Sequence, residues 1–85
     1  MVILILSFKG SLARSLSRAM RIPSGLTFFD RHDLSRISQA AYASDHGTKD
    51  PSEKENLCLL AVTMPTCSGP RVLCDSNGHL TFFLE

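Results

Sequence analysis

Residues 30–44, DRHDLSRISQAAYAS, restrict the fold of this chain more than any other stretch, because both ends carry the chemistry of helix termini. Asp30 can serve as the N-cap, its carboxylate accepting the free N–H groups of the first turn. Asp33 then falls at the third helical position, where negative charge suits the positive end of the helix dipole. Phe29 and Leu34 have the spacing of a hydrophobic staple. Leu34, Ile37 and Ala41 recur at helical spacing, bordered by Ser38 and Tyr42. In Asp45-His46-Gly47, the glycine can end the helix in a left-handed conformation. The pattern predicts a helix over about 31–44, apolar on one narrow face.

The other segments have to fold around this helix, and 85 residues allow one small domain at most. Before the helix runs MVILILSF, residues 1–8, too short to span a bilayer. Its β-branched Val2, Ile3 and Ile5 suit a buried strand, with continuation into the next helix as the alternative. Residues 8–22, FKGSLARSLSRAMRI, have helical periodicity. Phe8, Leu12, Leu16, Ala19 and Ile22 fall on one arc with Met20 at its border, and Arg14, Arg18 and Arg21 fall opposite. Pro23 ends that helix. After residue 44 comes a polar loop, then the apolar run LCLLAVTM over residues 57–64. Ser52 and Glu55 form a capping box ahead of it, which favours a helix at about 53–63, apolar on all sides and therefore buried, while the length of the run and its Val/Thr content suit a buried strand as the alternative. Ser76-Asn77-Gly78 then separates two apolar arms, and Asn-Gly predicts a hairpin turn with both residues at positive φ. The last arm, Leu80–Leu84, reads as an open apolar strand, and self-association through it is expected.

Net charge is +1, so global charge implies no partner. The distribution is uneven. Residues 1–29 hold Lys9, Arg14, Arg18 and Arg21 and no acid, whereas all eight acidic residues lie at or after Asp30. A basic, serine-rich, acid-free amphipathic N-terminus has the composition of a mitochondrial presequence. The same arrangement suits an anionic membrane surface, with Arg14, Arg18 and Arg21 meeting headgroups and the apolar arc in the boundary. A helix packed on the domain explains the pattern equally. This reading divides the chain into a targeting-like segment, 1–23, and a small α+β region, 24–85.

No site for chemistry emerges from the motifs. Cys58, Cys67 and Cys74 are an odd number, so a complete disulfide framework is not expected, although Cys67–Cys74 could bridge a loop. The cysteines and His79 lack the paired spacing of a zinc site. Asp75, Ser76 and His79 have the residue types of a catalytic triad but crowd one turn. No glycine-rich phosphate loop or G-x-S-x-G elbow occurs. Three arginines with no aromatic stacking surface among them do not make a nucleic-acid interface. No metal, cofactor or nucleic acid is therefore expected.

Ile37-Ser38-Gln39-Ala40-Ala41-Tyr42-Ala43 resembles the first helix of the secreted fungal class-3 lipases and feruloyl esterases, which often ends in Ala-Ala-Tyr. Val72-Leu73-Cys74-Asp75 and Leu80-Thr81-Phe82-Phe83 resemble the hairpin that follows it in that family, so the likeness covers residues 31–83. Where the family continues into Phe-Arg-Gly, this chain reads Phe83-Leu84-Glu85. The family's oxyanion loop, nucleophile, aspartate and histidine would all lie beyond. The resemblance implies a truncated, secreted, hydrolase-like piece whose sheet lacks its central strands and which has no catalytic residue.

The sequence thus predicts a small single α+β domain with two or three helices and a C-terminal β-hairpin, in an incomplete sheet. For function it leaves a non-catalytic hydrolase-like fragment, a small mitochondrial or membrane-surface protein, or an orphan chain without selected function. The compartments these readings offer are mitochondrial and secreted.

Overall fold

The computed structural model describes residues 3–85, which form a four-stranded antiparallel sheet with three helices. The first strand, β1 (Leu4–Phe8), places Leu6 and Phe8 in the core and leaves Ile5 outside. Met1 and Val2, which begin the expected strand, lie outside the described residues. Gly10, at φ +70°, turns the chain from β1 into α1 (Gly10–Met20). This helix starts two residues later than the periodicity predicts, with Phe8 left in β1, and its buried stripe is narrower than the predicted arc and centred differently. Ala13 and Leu16 are enclosed, Leu12 and Met20 are half-buried, and Ala19 faces solvent. The helix ends before Pro23 is reached. Arg21 takes the left-handed conformation (φ +54°), and the N–H groups of Arg21 and Ile22 both bond back to the Ser17 carbonyl.

After β2 (Gly25–Phe28), α2 (Arg31–Gly47) begins as predicted, with the Asp30 carboxylate accepting from Asp33 N–H at 3.0 Å. It runs three residues past the predicted end. Gly47 stays within the helix without positive φ, and Thr48 closes it by donating from its hydroxyl to Ser44 O at 3.0 Å. A short link leads to α3 (Pro51–Thr63). Here Asp50 caps the helix, accepting from Ser52 N–H at 2.9 Å. Pro51 occupies the first helical position, where its missing N–H costs nothing. Ser52 therefore lies inside the first turn and does not cap it. Nor is α3 buried all round: Leu57, Leu60 and Ala61 face the core, while Cys58, Leu59 and Val62 are exposed. Ser38 ties α2 to α3 by donating to Ala61 O at 2.8 Å.

A 3₁₀ turn (Met64–Thr66) leads to the predicted hairpin, β3 (Arg71–Cys74) and β4 (Leu80–Leu84). Its turn differs from the mirror-image type that Asn-Gly favours. Gly78 has positive φ (+83°) and Asn77 does not, and Gly78 N–H donates to Asp75 O. This is a turn through Ser76-Asn77 followed by a left-handed glycine. Asp75 selects it. Its Oδ1 accepts N–H groups from both Asn77 (2.9 Å) and His79 (2.8 Å), and its Oδ2 lies 3.3 Å from His79 Nδ1.

Strand order is β1-β4-β3-β2. One expectation fails on this topology, that Leu80–Leu84 is an open edge. β4 is an inner strand, paired with β1 from Leu4↔Leu84 to Phe8↔Leu80 and with β3 from Cys74↔Leu80 to Arg71↔Phe83. Its backbone is thus unavailable for edge pairing, and the open edges belong to β1 and β2. Across the expected division at residue 23, β1 pairs with β4 and α1 fills the same core as α2. A polar composition shift does not mark a boundary when its apolar residues belong to the common core. None of the buried described residues is polar, and Phe8 meets Phe82 edge-to-face with centroids 5.7 Å apart.

Two outcomes follow from the backbone chemistry. A left-handed arginine costs about 1–2 kcal/mol that glycine escapes, and glycine's greater freedom in the unfolded chain takes back about 0.4–1 kcal/mol, so a net gain of about 1 kcal/mol raises the melting temperature of Arg21→Gly by roughly 4–8 °C. The N–H groups aimed at Asp75 and Asp30 hold both carboxyls below their ordinary value of 3.8. A depressed folded pKa adds stability above the unfolded pKa, and that stability disappears as pH falls through the folded one. Thermal melts from neutral to acid pH therefore show a loss of stability beginning near pH 4, and Asp75→Asn flattens that acid limb.

Candidate functional site

All three helices pack on one face of the sheet, through Leu6, Phe8, Val72, Cys74, Leu80, Phe82 and Leu84. Strand alternation sends the intervening residues to the other face, which none of the described residues covers. Two cross-strand rows are fixed by register. One runs Ile5–Phe83–Arg71–Phe28, and the other Ser7–Thr81–Leu73–Leu26. This face is strongly apolar: Phe28 is 68% exposed, Ile5 56%, Leu26 52%, Ile3 46% and Leu73 41%. Leu26, Arg71, Leu73 and Phe83 line a shallow concavity of about 410 Å³ in it.

Arg71 is the one cation in these rows. Its guanidinium lies 5.9 Å from the centroid of the Phe83 ring and 3.8 Å from the Glu85 carboxylate. Glu85 follows Phe83 by two residues and so falls on the same side. Both partners are about one-third exposed, so this long ion pair contributes little to stability and leaves each charge accessible.

The helical side offers polar clefts but no reactive constellation. One of about 440 Å³ lies between α1 and the start of α3, with Ser11, Ser15, Lys49 and Glu53 in its wall. Another of about 510 Å³ lies between α2 and the 3₁₀ turn, with Arg31, Ser35, Ser38 and Cys67. In the second, Ser38 is engaged with Ala61 O, and the Cys67 thiol donates to Thr63 O at 3.1 Å. Burial raises the Cys67 pKa, which keeps the sulfur a protonated and weak nucleophile. Asp75 and His79 do touch, but the carboxylate is held by backbone N–H groups. Among the described residues no cluster of three His, Cys, Asp or Glu could hold a metal, and no helix is long and apolar enough to cross a membrane.

The predicted contact residues Arg14, Arg18 and Arg21 are all exposed, but they do not border the open sheet face as a group. Arg14 and Arg18 project from the outer side of α1, on the helical layer. Arg21 ends the helix near a small cleft that it shares with Phe28, Asp33 and Arg36. The apolar arc that a membrane boundary would take is occupied in the core by Ala13, Leu16 and Ile22. Cys67 and Cys74 do not bridge, and all three cysteines are free thiols. The geometry explains this. Ser68 N–H bonds to Glu85 O at one end of β4, whereas Cys74 pairs with Leu80 at the other. A strand of that length separates the two by roughly 13 Å, twice the reach of a disulfide.

No family model, curated protein or solved structure matches the chain. The site therefore rests on its own geometry. Sequence reasoning gave Ile5 to a buried strand and Leu73 and Phe83 to the apolar arms of the hairpin, and did not gather Ile5, Leu26, Phe28, Leu73 and Phe83 onto one exposed face. The usable signal was missing alternation: LIL at the start of β1 and FFL in β4 are unbroken apolar runs. An antiparallel strand with one face in water should alternate, so such runs mark strands apolar on both faces.

The three thiols give a direct check of this placement. With a small alkylating reagent and mass spectrometry, exposed Cys58 is modified first and half-buried Cys67 slowly. Buried Cys74 reacts only on unfolding.

Proposed function

We propose that the chain is a non-catalytic docking module whose working surface is the open face of its sheet. One observation carries this: five large apolar side chains, each 41% to 68% exposed, share a single continuous face. Scattered exposed apolar residues are ordinary, but a contiguous patch of this kind marks a site of contact. The concavity at its centre gives an incoming apolar side chain a seat, and Arg71 beside it gives direction to a polar or acidic group.

The other readings draw less support. The hydrolase-like reading needs central strands joined to the hairpin, yet both neighbours of β4 come from this chain, leaving only the outer edges of β1 and β2. Removal of residues 1–22 as a presequence would take away β1 and α1, and with them Leu6, Phe8, Ala13 and Leu16 from the core. The membrane-surface reading keeps its arginines but loses the apolar arc of α1.

Carbene footprinting tests the proposal. Labelling at Leu26, Phe28, Leu73 and Phe83 is compared between expressing cells and dilute purified protein. Shielding in cells at these four residues, with Leu59 and Val62 of α3 labelled equally in both, is the expected result. Equal labelling of the sheet face in both settings removes the proposal.

A further inference from the structure

Building on the docking reading, we infer that the occupant of the open face is a second copy of this chain, packed sheet to sheet about a two-fold axis parallel to the strands. The register shows why this arrangement is self-complementary. An axis running between the two inner strands sets β4 of one copy over β3 of the other, and β1 over β2. The row Ile5–Phe83–Arg71–Phe28 then meets itself reversed, so that Ile5 faces the partner copy's Phe28 and Arg71 faces its Phe83. In the second row Leu73 faces Thr81, and Leu26 faces Ser7. No apolar side chain is set against a charge, apart from the cation–ring contact that already exists within one chain at 5.9 Å.

Charge complementarity selects the second copy. Arg71 and Glu85 lie on adjacent inner strands at the same end of the sheet, 3.8 Å apart. The two-fold axis exchanges those strands. Each arginine comes over the partner copy's Phe83 with that copy's Glu85 two residues further along the same strand, the same diagonal that the pair spans within one chain, and two ion pairs form across the interface. An axis perpendicular to the strands would set β3 over the partner copy's β3, carry Arg71 to the other row against Leu73, and leave both charges unmatched. Such isologous, self-complementary contact is the commonest basis of homo-oligomers.

Area points the same way. Five side chains exposed by 41% to 68%, together with the partly exposed Phe83, Thr81 and Arg71, offer roughly 700 Å². A standard interface buries about 800 Å² on each partner. Sheets packed in this manner stand about 10 Å apart with strands nearly aligned, so the four strands on each side form a two-layer core. Edge pairing of β1 with a second β1 would satisfy backbone groups but leave this face in water, and it would be indifferent to Arg71 and Glu85.

Sedimentation velocity on the full chain across the micromolar range decides the matter. Wild-type protein is expected to sediment at twice its 9.3 kDa mass. Arg71→Glu and Glu85→Arg each place like charges together and weaken the dimer at least about tenfold. An equimolar mixture of the two variants restores it, because each glutamate at position 71 then meets an arginine at position 85. Circular dichroism confirms that both variants stay folded. Leu73→Lys, at an exposed position, gives monomers that no mixing rescues. A wild-type chain that stays monomeric throughout overturns the inference, as does a dimer that either charge variant leaves intact. Failure here is separable from failure of the docking reading. A monomer whose sheet face is shielded in cells keeps that reading and discards the second copy. A face labelled equally in cells and in dilute solution discards the docking reading itself.

Discussion

The structure depends on β4 lying between β1 and β3. Leu80, Phe82 and Leu84 of this strand are all enclosed, and Phe82 meets Phe8 edge-to-face. β1 comes from the start of the chain and β4 from its end, so this one pairing closes the longest loop in the fold. Closure of a long loop costs only slightly more than closure of a moderate one, since the entropy grows with the logarithm of length. Once it is closed, α1, α2 and α3 share one core with no polar residue in it. A small domain buries a modest fraction of its surface, so no single layer here has stability to spare.

Local chemistry was legible in the sequence wherever a side chain answers a backbone group beside it. Asp30 capping α2 and the presence of a hairpin around Ser76-Asn77-Gly78 are of that kind. Elements whose form depends on competition between neighbours were read less well. Asp50 outranked Ser52 as the cap of α3 because Pro51 fits the first helical position. Asp75 chose the turn type because two N–H groups converge on its carboxylate. Strand order was not legible. Leu80–Leu84 reads as an open terminal strand until β1 is placed beside it, and nothing local in ILILSF names its partner. The working face was hidden for the same reason, since exposure on the far side of a sheet is a property of topology.

The basic N-terminal third shows how one composition serves different ends. Arg14 and Arg18 fall opposite Ala13 and Leu16, which is the pattern of a presequence or a membrane-surface helix. It is also the pattern of a helix covering one side of a sheet. The structure distinguishes these by what the apolar arc touches, and here it touches α2 and the sheet. Charge asymmetry along a chain becomes an argument about partners only when the apolar half of the amphipathic element is free. In this fold it is not, and the free apolar surface lies on the opposite side of the molecule.

That surface also explains the position of Arg71. A flat apolar face on a small chain invites indiscriminate association during folding, and a charge within it limits the geometries that can form. Arg71 rests against Phe83 and Glu85, so its charge stays hydrated at the rim while its stem covers apolar surface. A partner covering the face takes water from Arg71, whose own pair with Glu85 is long at 3.8 Å, so a further acceptor brought by the partner lowers the cost of burying the cation. One arginine thus excludes most apolar surfaces from docking while admitting those that bring a carboxylate to the same end of the sheet. The chain's own Glu85 meets that condition when β3 and β4 are exchanged by a two-fold axis. Specificity in this face therefore resides in a single charge pair, and its affinity in the surrounding apolar rows.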